Sequence, residues 1–360
     1  MLVCCGLRIG YSLFVCSVLL AVEGSFMAVN DCLGEHEIID ILRQRLVLMP
    51  SMSVPFGDDV SAVPIGDGGD VAVLKTDMLV AKTDVPFAMS LYCAARKAIV
   101  MNVSDFASKG VQPIAVLVGL GLPKNLATKH AVVEIVDGLN FAAREYGAYI
   151  VGGDVGETGD LTISVSLYGV AKQSALMLRK GAKPGDILAV TGLFGKSAAG
   201  LQMLFDKTCV VSSENRAVLE QAVFNPCARL VEGLVLSKSG CVSASMDSSD
   251  GLAWSLYELM RMSGVGFVVE TLPVAAEVVV FAEQNGLDAE QLTLYGGEEY
   301  ELVLTVNPQS WAVAKAAVEA VGGNLIAIGR ATIEKQLTLL ITADGKQRCI
   351  EPCGYEHFKG

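Results

Sequence analysis

The sequence predicts an α+β or α/β protein with two mixed α/β domains, and three observations support this prediction. The chain has 360 residues, 52% of them hydrophobic, and this length favours two domains over one. Strand-like and helix-like segments alternate in both halves, which is typical of mixed α/β folds. The segment RKGAKPGD (179–186) is dense in Gly, Pro and Lys, which indicates a nearby boundary between domains at 27–175 and 176–360.

The first 26 residues allow two interpretations. Arg8 precedes an apolar run from Ile9 to Val22, and this arrangement resembles a short signal sequence. Alternatively, Met27 is the true start, because it leads directly into an amphipathic helix, and residues 1–26 are an extension from a misassigned start codon. We favour the second interpretation because residues 27–360 have the features of a cytoplasmic protein.

The charge and the cysteines argue against several classes of partner and location. The chain carries 39 acidic and 27 basic residues, a net charge of −12, so its surface repels nucleic acid and anionic membranes. After residue 26, charges and glycines interrupt every apolar run before it reaches the roughly 20 residues that span a bilayer. The ten cysteines include no CxxC pair, which is typical of a reducing compartment. We therefore expect a cytoplasmic location.

Hydrophobic periodicity predicts the elements of both halves. The first half is predicted to contain helices at 35–49, 90–110 and 127–147 and strands at 70–77, 113–123, 148–154 and 161–171. The second half is predicted to contain strands at 187–192, 265–270, 298–306, 324–329 and 337–342, a strand that runs into a helix at 243–260, helices after the first strand, and a helix from about Pro308.

Aspartates recur beside predicted strands. VPFGDDVSAV (54–63) places Asp58 and Asp59 after a glycine and before an apolar run. Four further segments, LKTDM, MNVSDFA, IVGGDVG and SMDSSDG, carry Asp77, Asp105, Asp154, Asp247 and Asp250. A carboxylate beside a buried strand is held on rigid backbone, and a neighbouring glycine lets a ligand approach closely. Asp and Gly also form ordinary turns, but five such segments favour a shared site.

Carboxylates that meet in one cleft need cations, because like charges raise one another's pKa. Oxygen ligands without clustered His or Cys favour Mg²⁺ or Ca²⁺ over zinc, and Mg²⁺ commonly bridges to substrate phosphates. This inventory predicts a nucleotide kinase or ligase site. Because side chains alternate along a strand, we expect Asp59 to face the metal and Asp58 to point elsewhere.

Other patterns carry less weight. TGLFGKSAAG (191–200) resembles a phosphate-binding loop, but Val190 stands where the GxxxxGK[ST] pattern requires glycine, so a structural turn is favoured. Cys349, Cys353 and His357 supply three of the four ligands of a structural zinc site, and an ordinary tail is favoured. LYGGEEYELVL (294–304) suits a substrate loop or, alternatively, a turn with an edge strand.

Seven motifs, taken in order, resemble the thiamine-monophosphate kinase family. They are FGDDVSAV, LKTDMLV, MNVSDFASKGVQP, YIVGGDV, LRKGAKPGDILAVTG, MDSSDGL and GGEEYELVLTV. The resemblance covers about residues 35–358 and extends to a superfamily that includes aminoimidazole ribonucleotide synthetase and selenophosphate synthetase. It implies ATP-dependent phosphorylation of thiamine monophosphate to thiamine diphosphate with several Mg²⁺ ions. It also implies a homodimer in which the N-terminal sheets of two copies form a barrel.

The resemblance implies roles for individual residues. The implied metal ligands are Asp59, Thr76, Asp77, Asp105, Asp154, Asp247 and Asp250, with Asp105, Asp154 and Asp250 also implied to be catalytic. The implied ATP contacts are Gly153, Asp154, Arg179 and Ser249. The implied contacts to the thiamine end are Glu298 and Tyr355.

Two positions depart from the family pattern. Lys75 stands where many bacterial members have serine, so the resemblance assigns no metal contact at that position. Asp84 stands where their substrate-binding histidine aligns, and a carboxylate there would attract the cationic thiazolium of the substrate.

Alternative functions remain open from the sequence. Within the superfamily, they are an aminoimidazole ribonucleotide synthetase-like or a hydrogenase-maturation-like protein, although the GGEEYEL loop favours the kinase. A selenophosphate synthetase would need a reactive Cys–Lys pair in the N-terminal segment, and Cys32 is followed by Leu33 and Gly34. From another class, the chain would be a non-catalytic nucleotide- or metal-binding protein that keeps the aspartates for structure.

Overall fold

The computed structural model describes residues 33–340 and 347–358, which form two mixed β-sheets with helices packed against them. The predicted mixed α/β architecture of both halves is confirmed. Among the described residues, no helix is long and apolar enough to cross a bilayer. Both interpretations of residues 1–26 lie outside this part of the chain, and they stay predictions together with the cytoplasmic location.

The first half contains three substantial helices and one five-stranded sheet. Its elements are α1 (Glu35–Arg45), β1 (Ser61–Ile65), β2 (Asp70–Val80), α2 (Ala81–Asp84), α3 (Leu91–Lys109), β3 (Pro113–Leu122), α4 (Lys129–Glu145), β4 (Tyr149–Glu157) and β5 (Thr162–Lys172). The strand order is β1-β2-β5-β3-β4. Strands β3 and β4 are parallel, whereas the other neighbours are antiparallel. The predicted elements are present with bounds shifted by a few residues.

Helix α3 covers one face of this sheet. The helix begins after Ser90, whose hydroxyl accepts a hydrogen bond from the Cys93 amide, and ends at Gly110, which has the left-handed backbone (φ +68°) typical of helix C-termini. Strand β2 buries Val71 and Val73 beneath the helix. Its alternate residues on the opposite face, such as Leu74 and Met78, remain exposed.

Strand β4 forms one edge of the first sheet. It pairs with β3 on one side, and all nine of its residues are exposed. Four of them are large and apolar, namely Tyr149, Ile150, Val151 and Val155. A long exposed edge with apolar side chains is a surface on which another strand can pair.

The second half contains a seven-stranded sheet and seven helices within the described residues. Its elements are β6 (Ile187–Val190), α5 (Lys196–Phe205), α6 (Ser213–Phe224), α7 (Leu230–Ser239), β7 (Val242–Asp247), α8 (Leu252–Ser263), β8 (Gly266–Val269), α9 (Ala276–Asn285), α10 (Ala289–Tyr295), β9 (Leu302–Val306), α11 (Trp311–Glu319), β10 (Ile326–Thr332), β11 (Leu337–Leu340) and β12 (Gln347–Cys349). The strand order is β12-β11-β8-β10-β6-β9-β7. Only the β11–β8 pair is parallel among these described strands.

The two halves share a hydrophobic core. One continuous cluster of buried side chains includes Ile163 from the first sheet and Leu302 and Leu304 from the second. Helix α3 also packs against α7 and β7 of the second half. The backbones of α3 and α7 approach so closely that a Cβ atom on Gly233 would lie 2.0 Å from the carbonyl oxygen of Ala107. The domain boundary at 175/176 therefore stays a prediction, since packing crosses it.

Substitution of Gly233 tests this close approach. Gly233→Ala should lower the free energy of unfolding by about 1–3 kcal/mol, because the added methyl group forces the two helices apart. The measurement is urea denaturation followed by circular dichroism. Gly159→Ala is the matched control, since a Cβ at Gly159 would meet nothing within 4 Å. Equal unfolding midpoints for both variants would contradict the tight α3–α7 contact.

Candidate functional site

Three carboxylates converge where the two halves meet. Asp59 lies in the turn before β1, Asp105 lies on α3, and Asp247 is the last residue of β7. One carboxylate oxygen of each lies within 4.8 Å of the others, and all three residues are buried. Residues almost 190 positions apart are thus brought together because α3 packs on both sheets. We call Asp59, Asp105 and Asp247 the carboxylate triad.

Asp59 is neutralised by two cations. The Lys109 Nζ atom, at the end of α3, lies 2.7 Å from Asp59 Oδ2, and Ser108 Oγ donates to the same oxygen at 2.6 Å. The Arg179 guanidinium donates to Asp59 Oδ1, with Nε at 2.5 Å. Burial alone would raise the pKa of Asp59, but the charges of Arg179 and Lys109 outweigh burial and lower that pKa below its ordinary value.

Asp58 also faces these cations, so the prediction that it points elsewhere was wrong. Its Oδ1 atom lies 2.7 Å from Lys109 Nζ, and its Oδ2 accepts a hydrogen bond from the Arg179 amide at 3.1 Å. The prediction relied on the alternation of side chains along a strand. The pair instead lies in the turn that precedes β1, where alternation does not apply.

Strand β2 supplies a lysine and an aspartate to the same region. Lys75 and Asp77 are two residues apart and so share one face of the strand. Lys75 Nζ lies 2.9 Å from Asp105 Oδ2 and 3.2 Å from Asp77 Oδ1. Thr76 lies between them and faces the other way, with its hydroxyl donating to the carbonyl oxygen of Val165 at 3.0 Å. A metal contact by the Thr76 side chain is therefore not supported by its position.

The donor set of the triad suits a hard divalent cation. Burial raises the pKa of Asp105 well above its ordinary value, and the charges of Asp247 and Asp77 add to burial against the opposing charge of Lys75. Burial likewise raises the pKa of Asp247 to about 6, with a further contribution from Asp59. A nearby divalent cation lowers the pKa of a carboxylate, and carboxylate oxygens are the ligands that Mg²⁺ and Ca²⁺ prefer. Asp105 and Asp247 therefore fit such an ion.

The predicted substrate loop lies beside the triad. The Glu298 amide donates to the carbonyl oxygen of Ser249 at 2.6 Å, and the Tyr300 amide donates to that of Ser248 at 2.9 Å. Glu298 and Tyr300 both have left-handed backbone, with φ of +65° and +54°. Non-glycine residues rarely adopt this conformation, and it is concentrated at functional sites. The loop thus runs alongside the turn after β7 instead of forming the predicted strand at 298–301.

A buried lysine fixes this loop to α3. Lys97, in the middle of α3, is fully buried, and its ammonium contacts the Glu298 carboxylate. The same ammonium donates to the carbonyl oxygen of Asp84 at 2.8 Å. The Asp84 carboxylate accepts from the Val80 amide at 2.7 Å, so it holds the end of the short helix α2 to the end of β2. Lys97 therefore joins two of the predicted substrate residues.

Asp250 and Tyr355 form the other side of this region. The Tyr355 amide donates to the carbonyl oxygen of Asp250 at 3.0 Å, while the Tyr355 ring is half exposed. Burial raises the pKa of Asp250 to about 7, with contributions from the charges of Glu35 and Asp247. Burial raises the pKa of Tyr355 to about 12, and the charges of Asp84 and Glu298 contribute. The backbone contact thus places Tyr355 beside the turn that follows Asp247.

Gly153 and Asp154 lie apart from the triad. Both are on the exposed edge strand β4, and Asp154 pairs with Gly119 of β3. Strands β3 and β5 separate β4 from β2, which carries Lys75 and Asp77. Within the described residues, the metal-type cluster comprises the triad alone. Within one chain, the position of β4 therefore does not bring Asp154 to the triad, and its metal and ATP contacts stay predictions.

The loop that resembles a phosphate-binding motif is engaged within the chain. The amides of Gly195 and Ser197, at the start of α5, donate to the partly buried Glu299 carboxylate at 2.7 and 3.1 Å, so this loop holds a carboxylate of its own chain. Cys349, Cys353 and His357 are not among the groups of described residues that could hold a metal ion.

Sequence reasoning missed the cations and hydroxyls of α3. Ser104 Oγ donates to Asp247 Oδ2 at 2.6 Å, while Ser108 and Lys109 bind Asp59. Ser104, Asp105, Ser108 and Lys109 are spaced so that they share one face of a helix, and all are buried. Their helical spacing was a signal that one face of α3 is polar, although the sequence does not show which carboxylates that face contacts.

Comparisons with known proteins identify relatives that match most of the chain. A family model described as AIR synthase related protein, N-terminal domain, matches residues 57–171. The chain is 33% identical over 327 residues to a thiamine-monophosphate kinase from Nitrosopumilus maritimus, covering 91% of this chain and 99% of that protein. It is 35% identical over 306 residues to a thiamine-monophosphate kinase from Pyrococcus horikoshii, covering 84% and 91%. The solved structure of AaThiL complexed with AMPPCP and TMP has a TM-score of 0.78 at 28% identity, covering 92% of this chain and 100% of that chain.

Removal of the buried Lys109 ammonium tests the charge balance of the site. Lys109→Met should lower the free energy of unfolding by about 3–5 kcal/mol, because it leaves buried carboxylates short of a partner. Lys172→Met is the matched control, since Lys172 pairs with Asp70 on an exposed part of the same half and such pairs contribute about 0–1 kcal/mol. Urea denaturation at neutral pH measures both. A Lys109→Met variant as stable as the control would contradict the neutralising role.

Proposed function

The chain belongs to the thiamine-monophosphate kinase family, and we propose that it transfers the γ-phosphoryl group of ATP to thiamine monophosphate, producing thiamine diphosphate. The observation that carries the proposal is the buried carboxylate triad beside the Glu298 loop, in a chain that resembles, over 92% of its length, a structure complexed with AMPPCP and TMP. The relatives that share at least 30% identity over most of the chain bear the kinase name. This favours the kinase over the other members of the superfamily and over a non-catalytic binding protein.

Asp105 and Asp247 are the residues we propose as principal Mg²⁺ ligands, with Asp59, Asp77 and Asp250 around them. Bound Mg²⁺ would neutralise the negative charge of the ATP phosphates as the phosphoryl group moves. Arg179 adds a fixed positive charge. A guanidinium has five N–H donors, so Arg179 can bind Asp59 and Glu258 and still donate to a phosphate. Ser249, which we propose as an ATP contact, lies in the same turn as Asp250.

The acceptor makes a strong general base unnecessary. A phosphate monoester has a second pKa of about 6, so thiamine monophosphate is largely ionised at neutral pH and its oxygen is already a nucleophile. Catalysis then consists mainly of positioning two polyanions and neutralising their charge. This agrees with a site made of aspartates, lysines and an arginine.

The thiamine end of the acceptor is proposed to bind between Glu298, Asp84 and Tyr355. Thiamine carries a cationic thiazolium ring, and the Glu298 carboxylate and the half-exposed Tyr355 ring offer negative charge and an aromatic face. Lys97 fixes the position of Glu298 and of the Asp84 backbone. The ring of Tyr355 is itself supported by His357, whose ring centroid is 5.0 Å away in an edge-to-face arrangement.

The same proposal includes a homodimer in which the N-terminal sheets of two copies form a barrel. The exposed apolar edge strand β4 supports this, because a second sheet would satisfy its unpaired backbone and cover Tyr149, Val151 and Val155. Gly153 and Asp154 lie on that strand, so their proposed contacts to ATP and metal would be completed by the dimer.

A turnover assay tests the proposed function. Purified protein that begins at Met27 should convert ATP and thiamine monophosphate into ADP and thiamine diphosphate, and the conversion should require Mg²⁺. Chromatography separates and quantifies both products. Formation of ADP without thiamine diphosphate would contradict the proposal. A chelator added to the complete reaction should abolish the thiamine diphosphate peak.

Substitution of a triad residue tests the location of the site. Asp105→Asn should lower kcat by two orders of magnitude or more while the protein stays folded, because the amide keeps the shape but loses the charge that a divalent ion needs. Asp70→Asn is the matched control, since Asp70 is on β2 but pairs with the exposed Lys172. Near-wild-type turnover of Asp105→Asn, with circular dichroism unchanged, would show that the triad is not the reacting site.

A further inference from the structure

Lys75 occupies an unusual position in the site. Its ammonium lies between two carboxylates, 2.9 Å from Asp105 Oδ2 and 3.2 Å from Asp77 Oδ1. The Lys75 side chain is 18% exposed and that of Asp105 is 9% exposed, whereas that of Asp77 is 35% exposed. The ammonium thus lies at the boundary between the buried triad and solvent.

The backbone holds Lys75 in this place. Asn102, one helical turn before Asp105 on α3, accepts a hydrogen bond from the Asp77 amide at 2.9 Å and donates to the Ala98 carbonyl at 3.0 Å. This bridge fixes the face of β2 that carries Lys75 and Asp77 against the helix that carries Asp105. The three side chains are therefore set by rigid elements and not by a flexible loop.

An ammonium and a divalent cation compete for such a position. Mg²⁺ binds carboxylate oxygens directly at about 2.0–2.1 Å, and an ammonium hydrogen-bonded to the same oxygens both fills the space and repels the ion. Like charges at such short separations repel strongly in a partly buried site, and the double charge of the ion increases the repulsion. A lysine also remains in place when no free ion is available, because it is part of the chain.

We propose that the Lys75 ammonium takes one cation position of the carboxylate cluster, between Asp77 and Asp105, so that the protein binds one divalent ion fewer than it would with a small neutral residue at position 75. The inference rests on the proposed function only in treating the cluster as the metal site. In this inference Lys75 is a resident cation, meaning a positive charge of the chain itself that neutralises part of the carboxylate charge before any metal ion binds.

The number of bound Mn²⁺ ions tests this proposal. Electron paramagnetic resonance measures free Mn²⁺ during a titration of the full chain in the presence of AMPPCP, and the bound number is obtained by difference. Lys75→Ser should bind one Mn²⁺ more per chain than the wild type. Lys75→Arg, which keeps the charge, and Lys172→Ser, which removes a lysine from an exposed pair with Asp70, should both bind the wild-type number. Equal numbers for Lys75→Ser and wild type would overturn the proposal.

A second measurement uses the unaltered protein, in case Lys75→Ser does not fold. Crystals soaked in Mn²⁺ and AMPPCP should show anomalous density at the triad but none within bonding distance of both Asp77 and Asp105. A Mn²⁺ ion that bridges those two carboxylates, with Lys75 turned away, would overturn the proposal.

The outcomes separate this inference from the proposed function. A wild-type protein that makes no thiamine diphosphate, but whose Lys75→Ser variant binds one more ion, would overturn the function and support the resident cation. A protein that makes thiamine diphosphate, but whose Lys75→Ser variant binds the same number of ions as the wild type, would support the proposed function and overturn the inference about Lys75.

Discussion

The ion pair between Asp59 and Lys109 connects the parts of the molecule that the candidate site needs. The Lys109 ammonium is fully buried and contacts Asp58 and Asp59 from the turn before β1, and it donates to the carbonyl oxygen of Ser245 on β7 at 2.7 Å. One charge therefore joins the first sheet, α3 and the second sheet. Because burying carboxylates without cations is very costly, the triad can exist only where such partners are supplied.

Helix α3 is the element through which this constraint acts. It covers one face of the first sheet and also packs on α7 and β7, and it carries Lys97, Asn102, Asp105 and Lys109 on successive turns. Lys109 neutralises Asp59, Asn102 fixes β2, and Lys97 fixes the Glu298 loop. A single rigid helix thus sets the distances among the triad, the lysine on β2 and the proposed acceptor region.

The charge balance of the site is uneven in a way that suits phosphate chemistry. Asp59 has two cationic partners and a pKa below its ordinary value, whereas burial raises the pKa of Asp105, Asp247 and Asp250. The first carboxylate is satisfied within the chain, and the others still need positive charge. Lys75 supplies some of that charge at Asp105, and in the proposed function divalent ions supply the remainder.

The sequence by itself determined most of the secondary structure, the mixed α/β architecture and the family, because hydrophobic periodicity and ordered motifs are local properties of the chain. It also identified Asp59, Asp105 and Asp247, since each stands in such a motif. Only the tertiary structure decided which aspartates meet: it brought Asp58 to Lys109 beside Asp59, directed the Thr76 hydroxyl to the Val165 carbonyl, and placed Asp154 on a separate edge strand. It also revealed Lys97 and Lys109, because the partner of a buried charge depends on how α3 packs against two sheets, and contacts between residues far apart in sequence leave no local pattern.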